Sequence, residues 1–157
     1  MTPACEVGFV NVCEKLGIRA LNDYQREAIT QFVNKKTDLI IDFPTGYGKS
    51  LVYQALPLVF DTVHGTVGQI VVVVSPLVSL MEDKVDKLRR LGISAIFLSD
   101  IKDEEIKEVD EGCFSLVYGS PEAWLKNERW RKMLSSNVYS AKLCAIAIDQ
   151  AHVIKQW

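Results

Sequence analysis

Apolar positions along the chain alternate between two spacings. Tyr24, Ala28, Ile29, Phe32 and Val33 recur every three or four residues, which predicts an amphipathic helix over 22–35. Asn22 or Asp23 stands where its cap belongs. Asp38-Leu-Ile-Ile-Asp-Phe43 is a short apolar run stopped by Pro44-Thr-Gly-Tyr-Gly48, and reads as a buried strand entering a turn. A helix is expected from Lys49 to about Val59. Gln69-Ile-Val-Val-Val-Val-Ser75 is β-branched and ended by Pro76, a second strand. Leu77, Met81, Val85, Leu88 and Leu91 mark the next helix, with Gly92 as its stop. Further strands are expected over 93–98, 113–118 and 143–148. Between them come a charged helix over 102–111, with Ile106 and Val109 inward, and one or two helices carrying Trp124, Trp130, Met133 and Leu134. Alternating strands and helices predict an α/β domain with a mostly parallel sheet flanked by helices. In such sheets ligands bind beyond the carboxyl ends of the strands, so the residues after each strand carry the interest.

Composition narrows the picture modestly. The 157 residues hold 18 Lys+Arg against 20 Asp+Glu, a net charge of −2, with 48% hydrophobic residues. A chain this apolar is globular rather than disordered, and its length suits one domain. The charge is no basic footprint, so any nucleic-acid contact must come from a local patch. Uninterrupted apolar runs stay below the roughly 18 residues of a membrane span, and no membrane partner is expected. Glu6 and the lack of a basic start argue against a secretory signal. Cys5, Cys13, Cys113 and Cys144 form no CxxC pair, and only two histidines exist. Reduced, mostly buried thiols in an intracellular protein are expected rather than a zinc site.

The chemistry begins after the run over 38–43. A loop that wraps phosphate turns backbone N–H groups inward, which glycine permits, here Gly46 and Gly48. Lys49 would reach the β- and γ-phosphates and Ser50 would coordinate Mg²⁺. Phe43 stands where the strict G-x-x-x-x-G-K-[ST] pattern has its first glycine. The run over 143–148 ends in Asp149-Gln-Ala-His152, placing a carboxylate where a nucleotide triphosphatase needs a second Mg²⁺-ordering acid. His152 fits two readings equally: part of a nucleotide-sensing network, or polar edge packing.

These segments, in this order, resemble the first RecA-like domain of superfamily-two helicases, most closely the RecQ family of DNA helicases. Leu21-Asn-Asp-Tyr-Gln-Arg-Glu-Ala-Ile29 resembles the Q-motif, which implies that Gln25 reads adenine. Pro44-Thr-Gly-Tyr-Gly-Lys-Ser-Leu-Val-Tyr-Gln54 resembles motif I, which implies nucleotide contacts from Thr45, Gly46, Tyr47, Gly48, Lys49 and Ser50. The family commonly lacks the first glycine. Ser75-Pro-Leu-Val-Ser-Leu-Met-Glu-Asp-Lys-Val85 resembles motif Ia, where the family more often has Gln in place of Lys84. Tyr118-Gly-Ser-Pro-Glu122 resembles motif Ib, and Asp149-Gln-Ala-His152 resembles the DEAH motif II with Gln150 in place of Glu.

The resemblance implies a RecA-like P-loop NTPase fold, a lead-in helix over 1–20 and an ATP-binding domain over 21–157. It implies ATP and Mg²⁺ as cofactors, with Lys49, Asp149, Gln150 and His152 at the catalytic positions and Ser50 and Asp149 as metal ligands. It also implies a 3′-to-5′ DNA helicase acting in repair and recombination in the nucleus. Single-stranded or forked DNA would be held through its backbone by Ser75, Ser79 and Ser120. A neutral Gln150 cannot accept a proton as a carboxylate does. The chain also stops after motif II, ahead of the family's second RecA-like domain, so hydrolysis is expected to be impaired. A non-catalytic binding relative is the competing expectation. Lys84, Lys87, Arg89 and Arg90 make one helix cationic, either for DNA or as an ordinary solvated face. Trp124 and Trp130 could stack on bases, but their helical neighbours favour core packing.

Overall fold

A computed structural model describes residues 3–35, 48–99 and 101–149. The expected strand over 38–43 lies outside them. The chain forms two compact units, Met1–Gln69 and Ile70–Trp157.

In the first unit α1 (Pro3–Leu16) buries Cys5, Gly8, Phe9, Val12 and Leu16, one helical stripe. It packs on α3 (Lys49–His64). A Cβ on Gly8 would lie 3.3 Å from the Val59 Cα, so glycine permits this close approach. The helix α2 (Asp23–Lys35) packs on α3 as well, with Phe32 edge-on to Phe60 at 6.1 Å between centroids. Tyr24, expected on the buried stripe, is instead 47% exposed, while Leu21 just before the helix is buried. α3 runs past the expected end near Val59 because Phe60 still has core to fill; it stops at Gly65 in the left-handed region. Beyond it the Asp61 carboxylate accepts N–H bonds from Gly68 and Gln69.

The second unit is a four-stranded, fully parallel sheet, as the pattern predicts. Its strands are β1 (Ile70–Val74), β2 (Ala95–Phe97), β3 (Leu116–Gly119) and β4 (Leu143–Ile148), in the order β2-β3-β1-β4. The connections carry α4 (Val78–Arg90), α5 (Asp103–Asp110), α6 (Pro121–Lys126), α7 (Glu128–Leu134) and α8 (Asn137–Lys142). β1 lies between two neighbours, and Ile70 to Val73 are almost fully buried, hence its unbroken apolar run. Ile70, Val72, Ile96 and Val117 form one core with Val109, Trp124, Trp130, Met133 and Tyr139 from the helices.

Some expected bounds shift for local reasons. The strand over 113–118 begins only at Leu116, because Gly112 (φ 74°) and the Cys113 N–H bond to the Glu108 carbonyl still belong to the end of α5. The strand over 93–98 shrinks to Ala95–Phe97, since the Ile93 N–H caps α4 at Leu88. α8 is additional, capped by the Ser136 hydroxyl. Of the four cysteines only Cys5 is buried; Cys113 is exposed, and none is in a disulfide.

Candidate nucleotide site

Two groups of residues carry the expected chemistry, one in each unit. In the first, Asn22 and Gln25 form a reciprocal cap at the start of α2. The Gln25 N–H donates to Asn22 Oδ1 and the Asn22 N–H donates to Gln25 Oε1, both at 2.9 Å. The Gln25 side chain also donates through Nε2 to the Gly48 carbonyl at 3.2 Å, and the residue is 5% exposed. Gln25 therefore ties the start of α2 to the residue that opens α3. Gly48 is left-handed (φ 70°, ψ 52°), and a Cβ there would stand 2.6 Å from Gln25 Nε2. Only glycine meets both demands at low cost.

Lys49 is exposed and Ser50 half-buried at the N-terminus of α3, whose first turn contains no acidic side chain. That end of the helix carries the positive pole of its dipole. Thr45, Gly46 and Tyr47 lie outside the described residues, as do Gln150 and His152.

In the second unit, strand register sets the site. Val74 pairs with Gly119 on one side and with Ile148 on the other. The next residue of each strand, Ser75, Ser120 and Asp149, therefore emerges at one level along the carboxyl edge. The Ser75 N–H donates to the Gly119 carbonyl, and the Asp149 N–H to the Val74 carbonyl at 2.8 Å. Ser75 is nearly buried, its hydroxyl accepting from the Leu77 N–H at 3.4 Å. The Ser120 hydroxyl caps α6 by accepting from Ala123 N–H, and Ser79 is exposed in the first turn of α4. Ser75 and Ser120 thus hold local backbone in place.

Asp149 Oδ2 accepts from Lys84 Nζ at 2.7 Å, the side chains being 13% and 25% exposed. On the same helix Arg89 donates to the Ala95 carbonyl and faces Glu105 at 3.8 Å, whereas Lys87 and Arg90 are exposed. The expected cationic face is therefore partly engaged inside the unit. Trp124 and Trp130 are buried in the core, as their neighbours indicated. The Trp124 indole donates to the Val73 carbonyl at 3.2 Å.

Asp149 offers the hard oxygens that Mg²⁺ takes, an ion that normally keeps water and phosphate as its other ligands. Among the described residues no cluster of three or more His, Cys, Asp or Glu could hold a metal alone. The donor type fits, with one oxygen already on an ammonium. Sequence reasoning missed this pair; the lysine at the motif Ia position that usually holds glutamine marks one partner but does not name the other.

A model of the DEAD/DEAH box helicases matches residues 22–157. The chain belongs to the DEAD/DEAH box helicase family. Within it, the resemblance to RecQ members holds. An ATP-dependent DNA helicase RecQ of Haemophilus influenzae is 37% identical over 146 residues, covering 90% of this chain and 22% of the relative. The RecQ of Bacillus subtilis is 34% identical over 146 residues, 90% of this chain and 23% of the relative. An ATP-dependent DNA helicase Q-like protein of Arabidopsis thaliana is 37% identical over 145 residues, 91% and 16% respectively. This DEAD/DEAH box helicase chain thus spans about a fifth of the length of these relatives, and its parallel α/β fold agrees with a RecA-like helicase domain.

Proposed function

We propose that this RecQ-like domain binds ATP with Mg²⁺ and takes part in 3′-to-5′ unwinding, contacting single-stranded or forked DNA through its backbone. The observation that carries the reading is the start of α3: left-handed Gly48, then Lys49 and Ser50, in a first turn free of acids. Lys49 would bind the β- and γ-phosphates, with Thr45, Gly46 and Tyr47 completing the loop. Gln25 would read adenine, and its bond to Gly48 would link base recognition to the phosphate end. Ser50 and Asp149 would hold Mg²⁺, which neutralises charge on the phosphates when bound. Ser75, Ser79 and Ser120 would contact phosphates of DNA; for Ser75 and Ser120 the hydroxyl proton is the donor left, since their oxygens accept backbone N–H bonds. Domain limits of 1–20 and 21–157, and a nuclear location, belong to this proposal; relatives from bacteria match as well.

A second reading, binding without turnover, is favoured by Gln150, a carboxamide where the family has a carboxylate. Losing a general base lowers rates by roughly 10²–10⁴. His152 would sense nucleotide or pack at the edge.

A fluorescent ATP analogue titrated onto the chain and onto Lys49→Ala tests the site: binding should be lost in the variant, and unchanged affinity refutes the assignment. ATPase rates with single-stranded DNA separate the two readings. Turnover should be very low in the unmodified chain and rise by about 10² or more in Gln150→Glu. Appreciable turnover by the unmodified chain removes the claim that Gln150 impairs hydrolysis.

A further inference from the structure

The ion pair between α4 and the end of β4 has a consequence beyond packing, one that rests on Asp149 being the metal-ordering acid. Both partners are held in place. The Asp149 backbone is bonded into the sheet at Val74, and its carboxylate is mostly withdrawn from water. Lys84 sits among the buried anchors of α4, Met81, Val85 and Leu88. Lys87 and Arg90 on the same helix are exposed, whereas the Lys84 ammonium is turned onto Asp149 Oδ2 at 2.7 Å. An ammonium is a compact point charge, and salt screens a half-buried pair poorly. A glutamine here could hydrogen-bond the carboxylate but would leave its negative charge whole.

We propose that Lys84 is a built-in counter-ion of Asp149, a tethered monovalent cation that competes with the divalent ion for this carboxylate. An arriving ion meets a neutral pair instead of a bare acid. It must displace the ammonium or share the carboxylate against its repulsion. Divalent affinity is therefore lowered, and nucleotide binding depends less on the divalent ion than it would with glutamine at this position.

The decisive experiment is a Mn²⁺ titration followed by electron paramagnetic resonance, without nucleotide, on the unmodified chain, Lys84→Gln and Lys84→Arg. Lys84→Gln should bind Mn²⁺ at least about tenfold more tightly than the other two, given the repulsion between a divalent ion and an ammonium a few ångström apart. Adding Asp149→Asn to Lys84→Gln should erase the gain. Equal Mn²⁺ occupancy in the unmodified chain and Lys84→Gln overturns the proposal, as does a gain that survives Asp149→Asn. Fluorescent ATP-analogue affinity in Mg²⁺ and in EDTA gives a second readout. The ratio should be larger in Lys84→Gln than in the unmodified chain, and an equal ratio counts against the proposal. Nucleotide binding by neither protein, with the Mn²⁺ result intact, refutes the nucleotide reading and leaves the counter-ion standing.

Discussion

Gly119→Ala isolates the packing that holds the end of β3. A Cβ on Gly119 would come within 2.5 Å of Trp124 Nε1 and 2.7 Å of Cε2. The obstacle is a rigid ring, 5% exposed and hydrogen-bonded to the Val73 carbonyl, so it cannot swing aside cheaply. Overpacking of this kind costs about 1–3 kcal/mol. Displacing the indole also breaks its bond to β1, worth about 0.5–1.5 kcal/mol. The expected loss is about 2–4 kcal/mol, which at a urea slope near 2 kcal/mol/M lowers the midpoint by about 1–2 M. Tryptophan fluorescence during urea unfolding reads it directly, since Trp124 and Trp130 lie in this core. A double-mutant cycle with Trp124→Leu assigns the cause: without the indole, the alanine should cost less than about 1 kcal/mol. An unmoved midpoint, or the same cost in both backgrounds, refutes the clash.

Two further outcomes follow from residues already described. Burial, then the charges of Asp110 and Cys113, raise the Tyr139 phenol above its usual ionisation range. Unfolded tyrosine ionises near pH 10 while the folded phenol keeps its proton, so this group's contribution is complete below about pH 10 and declines as pH rises further. Tyr139→Phe loses the bond to the Val109 carbonyl, about 1 kcal/mol near neutrality, and lacks that alkaline decline. Urea unfolding at pH 8 and pH 11 should show the gap between the proteins closing; a constant gap refutes it. Gly48→Ala forces a side chain into the left-handed region and against Gln25. A cost of about 1–2 kcal/mol by thermal unfolding, with weaker ATP-analogue binding, is expected; full affinity would show that the Gln25–Gly48 bond does not shape the site.

The sheet was legible because its strands are short apolar runs; the run before Ser75 is also buried and dense in β-branched residues, whereas the run ending at Ile148 has only Ile146 and Ile148, both exposed. Helix starts were legible where a side chain caps them, as at Asn22. Less legible were features set by tertiary contact. Tyr24 keeps the helical period yet faces solvent, because Leu21 and Gln25 take the buried positions at the start of α2. The extra turn of α3 depends on where Phe60 packs, and α8 is too short for periodicity to show. For the candidate site, motif order singled out Gly48, Lys49 and Asp149. It gave no account of Gln25 as a cap, although the Asn-x-x-Gln spacing carried that signal. The Lys84 partnership needed two elements brought together, which no local pattern encodes.

The shared level of Val74, Gly119 and Ile148 has a practical meaning for lengthening or shortening this chain. Residues between β3 and β4 include exposed turns around Asn127 and Ser135, where an inserted residue would lengthen a connection and leave the sheet intact. One residue added inside β4 would turn every later side chain to the opposite face and push the acid past the row it shares with Ser75 and Ser120. The connections can therefore absorb changes in length, while the strands act as fixed rulers that deliver Ser75, Ser120 and Asp149 to one edge.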